Sequence, residues 1–378
     1  MAIKHFKRFS DIGFLRRLDF ELLLTFLRQF EEYLVHHRAL ELVEHFLTFR
    51  YQHLAEILLT PDVNTPVELI EGLYYVHELS QKTTLETLCH HLGRADISPH
   101  MPIEDLLLKT VIERPHVLAC LHAEQHLVRP KKFETFFCRS DRPPMLTDDT
   151  VAHIEAALND WFAVQHKGRG VKLFRFIRPD GIWFLIQHGK QLKCDFTHED
   201  NGDSRRIVYR PGTFDVLCFL QERGEFRMHT ATKRDRDEYR RLFGKHFFYE
   251  ETFFQAGDNG KKYTLTPLKQ LSKHSLACFD VDGLKSAELV ELQIVHNIIG
   301  DLREIYRSET NLLDHLDILA GRMTDTVDIV RATFRLTFSG DSKSRCITVC
   351  TPNVTIYDRE ADGALIDLWL KSKGFVIA

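Results

Sequence analysis

Residues 207–248 read IVYRPGTFDVLCFLQERGEFRMHTATKRDRDEYRRLFGKHFF, and the rest of the chain is organised around them. FDVLCFL and EFRMHTA are short and rich in aromatic and β-branched residues. Glu222-Arg223-Gly224-Glu225 between them is the kind of turn a β-hairpin uses. Thr232 then opens a charged helix to Phe248, in which Tyr239, Leu242, Phe243 and Phe247 recur at helical spacing. This order predicts a small β-rich centre: Phe214, Val216, Leu217, Phe226 and Met228 on strands, with Tyr239, Phe243 and Phe247 laid across them.

Upstream, the period changes at Gly168-Arg169-Gly170. VKLFRFI, GIWFLIQ, KQLKCDF and RRIVYR are divided by Pro179-Asp180-Gly181 and Asn201-Gly202-Asp203, as in an antiparallel meander rather than βαβ units. Residues 1–167 are apolar at helical spacing instead. Phe20, Leu23, Leu24, Leu27, Phe30 and Leu34 mark one helix, and Leu42 to Leu59 a second. Thr65-Pro66 with Glu68 is a start signal of the capping-box type, and further helices are expected over Thr84–Leu92, Ile103–Ile112 and His116–Leu127. Thr147 should cap a helix that carries Asp148 and Asp149 in its first turn and stops at Lys167-Gly168.

Downstream, SLACFDV, LVELQIVH, ATFRLTF and CITVCT look like strands, and Asn311–Ala320 looks helical. A terminal helix capped by Asp358 carries Leu365, Ile366, Trp369 and Leu370. The expected architecture is multidomain α+β. An all-α helical scaffold domain (1–167) is followed by a mainly antiparallel β-rich module (168–270) and a C-terminal α+β subdomain (271–378).

Composition narrows the class. The 378 residues are 44% apolar and 28% charged, with a net charge of −4, and 28 Phe stand against 10 Tyr and 3 Trp. This suits a soluble folded protein with a well-filled core, and too little net charge to steer a partner by itself. No apolar run is long enough for a membrane span, the first residues lack a secretory signal, and eight scattered cysteines suit reduced, buried thiols in a cytoplasmic protein.

Several motifs touch on chemistry. His122 and His126 share a helix face, but a zinc protease needs Glu directly after the first His or before the second, and Glu124 is in neither place. Cys346 and Cys350 are one pair where a metal site needs about four ligands. Gly168-Arg-Gly170 lacks the glycine and helix of a phosphate loop, and Gly-x-Ser-x-Gly is absent. The sequence therefore predicts no metal site and no cofactor. Asp215 on one strand and Glu225-Phe-Arg227 on the next resemble the paired carboxylates of Mg²⁺-dependent nucleases, although Arg replaces the usual Lys and Glu225 follows a turn.

Cys278-Phe-Asp-Val-Asp-Gly283 resembles the first motif of the haloacid-dehalogenase phosphatases, which implies Asp280 as nucleophile and Asp282 as general acid. The resemblance covers these residues only. Leu284 stands where that family has Thr or Val, and Gly300-Asp301 lacks the second Asp of its acidic motif. The stretch reads as a strand leading into a turn. Phe-Asp-Val-Leu, a strand, Thr-x-Lys and then Tyr/Phe-x-x-x-Phe, over residues 209–250, resemble a domain in the smaller, DNA-contacting subunit of the Kiwa antiphage system. That likeness implies a setting in antiviral defence and transfers no functional residue.

Charge is the remaining signal. Arg205 to Lys245 holds 11 Lys and Arg against 6 Asp and Glu, an excess of five in a chain whose total is −4. Arg205, Arg206, Arg210 and Arg227 flank strands, and Lys233, Arg236, Arg240 and Arg241 lie on the helix. With Tyr239 and Phe243 facing a sheet, Arg236, Arg240 and Arg241 should face solvent and suit phosphate contacts. The expected function is a non-enzymatic, DNA- or RNA-backbone-contacting or scaffold subunit of a larger assembly. The alternatives are a Mg²⁺-dependent nuclease using Asp215 and Glu225, and a protein–protein adaptor.

Overall fold

The structure, a computed structural model, describes residues 9–43, 46–62, 64–80, 88, 92, 100–128, 130–198, 204–255, 260–270, 273–296, 302–315, 319, 322, 326–340, 344–359 and 362–377. The chain forms two compact units, Met1–Gln125 and His126–Ala378.

In the first unit α1 (Ile12–Leu15) precedes α2 (Phe20–Arg28), which Asp19 caps by accepting from the Leu22 amide at 2.9 Å. Leu23, Leu24, Phe26 and Leu27 form its buried stripe. After α3 (Glu31–His36) the chain enters a hairpin of β1 (Leu40–Val43) and β2 (Phe46–Phe49), with Leu40 opposite Phe49. The helix expected from Leu42 therefore begins only at Tyr51, as α4 (Tyr51–Leu59), and this unit is not all-α. The run Phe46-Leu47-Thr48-Phe49 is apolar at either period, and its aromatic and β-branched residues favour the strand.

Thr65 does not cap α5 (Val67–Leu79). Its hydroxyl accepts from the Asp62 amide at 2.8 Å and meets Tyr33 Oη at 2.7 Å, and Pro66 takes the cap position. α6 (Ile103–Glu113) and α7 (Pro115–Val128) follow, the latter running through the division between units. α5 meets α2 and α6 at Gly72, where a Cβ would lie 2.7 Å from the Phe26 ring and 3.2 Å from a Val111 methyl. The helix expected over Thr84–Leu92 lies outside the described residues, apart from Leu88 and Leu92.

The second unit is built on an antiparallel sheet. In chain order its strands are β3 (Lys132–Cys138), β4 (Lys172–Arg178), β5 (Gly181–Gly189), β6 (Lys193–His198), β7 (Ser204–Tyr209), β8 (Gly212–Leu220), β9 (Glu225–His229) and β10 (Phe254–Gln255). β11 (Leu284–His296), β12 (Leu302–Arg307), β13 (Val327–Phe338), β14 (Arg345–Cys350) and β15 (Val354–Ile356) complete them. The main sheet runs β12-β11-β13-β14-β15-β3-β9-β8-β5-β4, β10 pairs with β3, and β6–β7 form a ribbon of their own.

β3 joins what the sequence separated. It comes from a stretch assigned to the helical domain, yet it lies between β15 and β9 and links the strands of 168–270 to those of 271–378. SLACFDV is not a strand: it holds a 3-10 turn at Lys273–Leu276 followed by further turns. Of the helix expected at Asn311–Ala320, Leu312–Asp314 forms one 3-10 turn, and most of the remainder lies outside the described residues.

Thr147 caps α8 (Asp148–Val164) as expected, in a reciprocal box with Thr150. α8 and α9 (Lys233–Phe248) cover one face of the β3-β9-β8-β5-β4 half, packing Ile154, Phe162, Tyr239 and Phe243 on Phe184, Leu217 and Phe226. Phe214 and Val216 alternate onto the other face, so they do not join this core. α10 (Gly363–Ser372) covers that other face of the sheet beside β13–β15, burying Ile366, Trp369 and Leu370 with Phe334 and Ile347. Asp362 rather than Asp358 precedes it. Two helical layers thus lie on opposite faces and at different ends of one sheet. Where α10 stops short, the face beside it stays open.

Candidate ligand cleft

Strand alternation builds this open face. In β9, Phe226 and Met228 point into the α8–α9 core, which sends Glu225 and Arg227 to the opposite side. Partners across an antiparallel pair share a face. Arg227 is opposite Cys218 and Thr135, and Cys218 is opposite Trp183, so these line up on that side. α10 contributes Asp367 and Ala364, and Tyr357 and Arg359 follow β15. Together with Phe133, Arg178 and Arg223 they enclose a cleft of about 340 Å³.

Arg227 and Asp367 of the lining belong to a chain of charges that continues behind it through Glu225 and Lys262. Glu225 accepts from Arg227 Nε at 2.8 Å and from Lys262 Nζ at 2.7 Å. Asp367 accepts from Arg223 at 2.8 Å, from Tyr357 Oη at 2.5 Å and from Arg227 at 3.4 Å. Burial opposes the Asp367 charge, but Arg227, the Tyr357 hydroxyl and Lys262 outweigh it and hold the carboxyl at about 2. Burial and the neighbouring Arg227 bring Lys262 down to about 8, against the pull of Glu225. Burial also pushes the Cys218 thiol and the Tyr357 phenol well up. The carboxylates are engaged and the thiol stays protonated, so the surface offers hydrogen-bond donors more readily than it offers a base or nucleophile.

Arg359 is held differently. Its guanidinium donates to the Lys131 carbonyl at 2.7 Å and to Thr355 Oγ1 at 2.8 Å. It lies 4.5 Å from the centre of the Phe133 ring and 4.0 Å from that of Tyr357. Its Nε is buried with no hydrogen-bond partner. Among the described residues no carboxylate forms an ion pair with it. Trp183 forms the aromatic wall, its Nε1 donating to Asp180 at 3.0 Å, with Phe133 edge-on at 6.2 Å.

The structure separates the two carboxylates that suggested a nuclease. Glu225 pairs with Leu220, five residues along β8 from Asp215, roughly 17 Å at strand spacing. The odd offset also puts them on opposite faces. Asp215 is buried against α9, where it accepts from Tyr239 Oη at 2.6 Å and meets His188 Nε2 at 3.0 Å.

The other motifs are dispersed as well. His122 packs on the Tyr75 ring at 4.9 Å, and His126 stacks on Phe214 at 4.2 Å. Among the described residues no group of three or more His, Cys, Asp or Glu could hold a metal ion. Asp280 lies at an exposed turn and pairs with Lys373 Nζ at 2.5 Å, with Asp282 exposed nearby. Of the seven described cysteines, all free thiols, only Cys218 and Cys278 are buried, and Cys346 is exposed where a buried thiol was expected.

The basic residues divide three ways. On α9, Arg236 pairs with Glu134 at 3.0 Å, Arg240 with Asp237 at 2.8 Å and Arg241 with Glu238 at 2.7 Å. Arg236 and Arg240 are only 19% and 16% exposed, and they lie against Glu134 and Phe136 of β3 instead of facing solvent. Lys233 is exposed at the helix start, and Arg210 donates to the His166 carbonyl. Arg205 and Arg206 sit on the β6–β7 ribbon, whose described side chains are exposed, Phe196 and Val208 among them. Arg227 alone of the set enters the cleft.

The sequence matches no family model and no curated protein. Among the described residues no helix is long and apolar enough to cross a membrane. Sequence reading missed Arg178, Trp183, Tyr357, Arg359 and Asp367 because they come from four separate segments. The available signal was local: Glu225 and Arg227 alternate with Phe226 and Met228, which marks a polar face on an otherwise apolar strand.

Proposed function

We propose that this chain is a binding subunit of a larger assembly, and that its arginine-lined cleft takes hold of nucleic acid phosphate. The observation that supports it most is Arg359, a largely buried guanidinium with no carboxylate ion-paired to it among the described residues, in a cleft where Arg178, Arg223, Arg227 and Arg359 stand against Asp180, Glu222 and Asp367. A buried charge without a counter-charge needs compensation, and an anionic ligand supplies it to Arg359. Guanidinium groups suit phosphate because their planar fork of donors matches its oxygens. The contact surface differs from the one the sequence suggested, because the α9 arginines Arg236, Arg240 and Arg241 all hold carboxylates, whereas Arg359 in the cleft has none paired to it among the described residues.

A hydrolase built on Asp215 and Glu225 is not proposed, since one Mg²⁺ does not bridge carboxylates on opposite faces of a sheet. The test is fluorescence polarisation with single-stranded DNA and RNA over a salt series. We expect binding at low salt that weakens steeply as salt rises, by a log–log slope of about 0.7 per phosphate contact. Arg178→Gln with Arg223→Gln should lose at least 10-fold in affinity and reduce that slope, whereas Arg236→Gln with Arg240→Gln should not. Absence of binding at low salt, or sensitivity confined to the α9 pair, would remove the cleft from consideration.

A further inference from the structure

The cleft is small, and its size and walls narrow the ligand. At about 340 Å³ it lies at the low end of the roughly 300–1,000 Å³ span of small-ligand pockets. That is room for a single nucleotide and not for a run of them. A phosphodiester backbone tracking across a protein surface is usually met by an open groove, with successive bases on an aromatic platform. Here the cations and aromatic rings converge on one enclosure instead.

The walls divide by chemistry. Trp183 stands beside Cys218 and Leu220, an apolar side suited to a flat base, and the Phe133 ring touches both Trp183, at 6.2 Å, and Arg359, at 4.5 Å. On the other side Arg359 lies against Tyr357, with a buried Nε that no protein group satisfies. A buried donor left without a partner costs on the order of 1–3 kcal/mol, so such atoms are usually completed by a ligand or water. Arg178, 5.8 Å from the Trp183 ring centre, stands where the two kinds of wall meet.

We propose that the cleft binds the phosphomonoester of one nucleotide, its phosphate toward Arg359 and Arg178 and its base against Trp183. This rests on the cleft being the anion site, and it specifies what enters. A phosphomonoester presents three terminal oxygens where a diester presents two, which suits the several guanidinium donors that converge there. The same chemistry is found in a free nucleoside monophosphate and at the phosphorylated end of a nucleic acid strand.

The experiment is isothermal titration of the full chain with AMP, GMP, CMP, UMP and adenosine. Alongside it, polarisation is measured with one oligonucleotide bearing a 5′-phosphate, a 3′-phosphate or only hydroxyl ends. Free-nucleotide binding predicts saturable heat with at least one monophosphate, at least 10-fold weaker binding of adenosine, and displacement of the oligonucleotide by the monophosphate. A strand-end ligand predicts a phosphorylated oligonucleotide at least 10-fold tighter than its hydroxyl form, with little competition from monophosphates.

Either pattern must lose at least 10-fold in Arg359→Gln. Arg178→Gln, at the rim, and Trp183→Leu must weaken it too, with thermal unfolding used to show that each variant is folded. Oligonucleotide binding indifferent to end phosphates, with no monophosphate bound, would overturn this inference and leave the cleft as a backbone site. No binding of any probe at low salt would overturn both.

Discussion

Asp367 shows how one carboxylate holds the cleft together. Arg223, Arg227 and Tyr357 all donate to it, and its charge balances an arginine that the sheet buries. Its depressed pKa has a stability consequence. A carboxyl at about 2 when folded and 3.8 when unfolded stabilises the fold above pH 3.8, and this contribution is lost as pH falls towards 2. The shift corresponds to about 2 kcal/mol. Asp367→Asn removes the charge but leaves Arg227 buried, which should destabilise the protein by about 3 kcal/mol at pH 7. Urea unfolding of both proteins at several pH values checks this. The difference between them should shrink between pH 4 and 2, and a constant difference would show that Asp367 is not held ionised by its neighbours. Asp215 carries the same functional group with a different fate, tied to Tyr239 and His188 inside the α8–α9 core.

At the scale of elements, helix faces were legible and their charged partners were not. The α9 stripe of Tyr239, Leu242, Phe243 and Phe247 is buried as its spacing predicts, because 3.6-residue periodicity is a local property. Arg236 was assigned to solvent by the same periodicity, yet Glu134 lies opposite it on β3, about a hundred residues earlier in the chain. A stripe analysis sees apolar neighbours on the same helix and is blind to a carboxylate brought in from another segment. In the first unit, Gly72 sets how closely α5 approaches α2 and α6. A side chain there meets Phe26 at less than contact distance, so Gly72→Val should destabilise by about 2 kcal/mol through overpacking. Denaturant unfolding reads this directly. A variant as stable as the parent would show that α5 has room to move away.

At the scale of the whole molecule, the strands and helices of 126–378 have their own cores, gathered on opposite faces of one sheet. A fragment starting at Pro115, which keeps α7 whole, should therefore fold without the preceding helices and retain the ligand binding of the full chain. Far-ultraviolet circular dichroism through a thermal melt, with the same titrations, checks it. A fragment without a cooperative transition would show that the first unit is required for the second to fold.

The sequence by itself determined the class of many segments, though it missed the β1–β2 hairpin and β3 and took residues 275–281 for a strand. A helical period before residue 128, a strand period from 171 to 220 and the hairpin-and-helix centre at 207–248 all follow from local spacing, and the α+β class follows from them. It also determined that Arg227 shares a face with Glu225, since side chains two apart on a strand always do. Only the tertiary structure decided that β3 would join two sets of strands into one sheet, and that Asp367 and Arg359 would meet Arg227 across it. The physical reason is that strand order is set by pairings between distant segments. Those pairings are selected by the burial of whole faces, and no window of neighbouring residues contains that information.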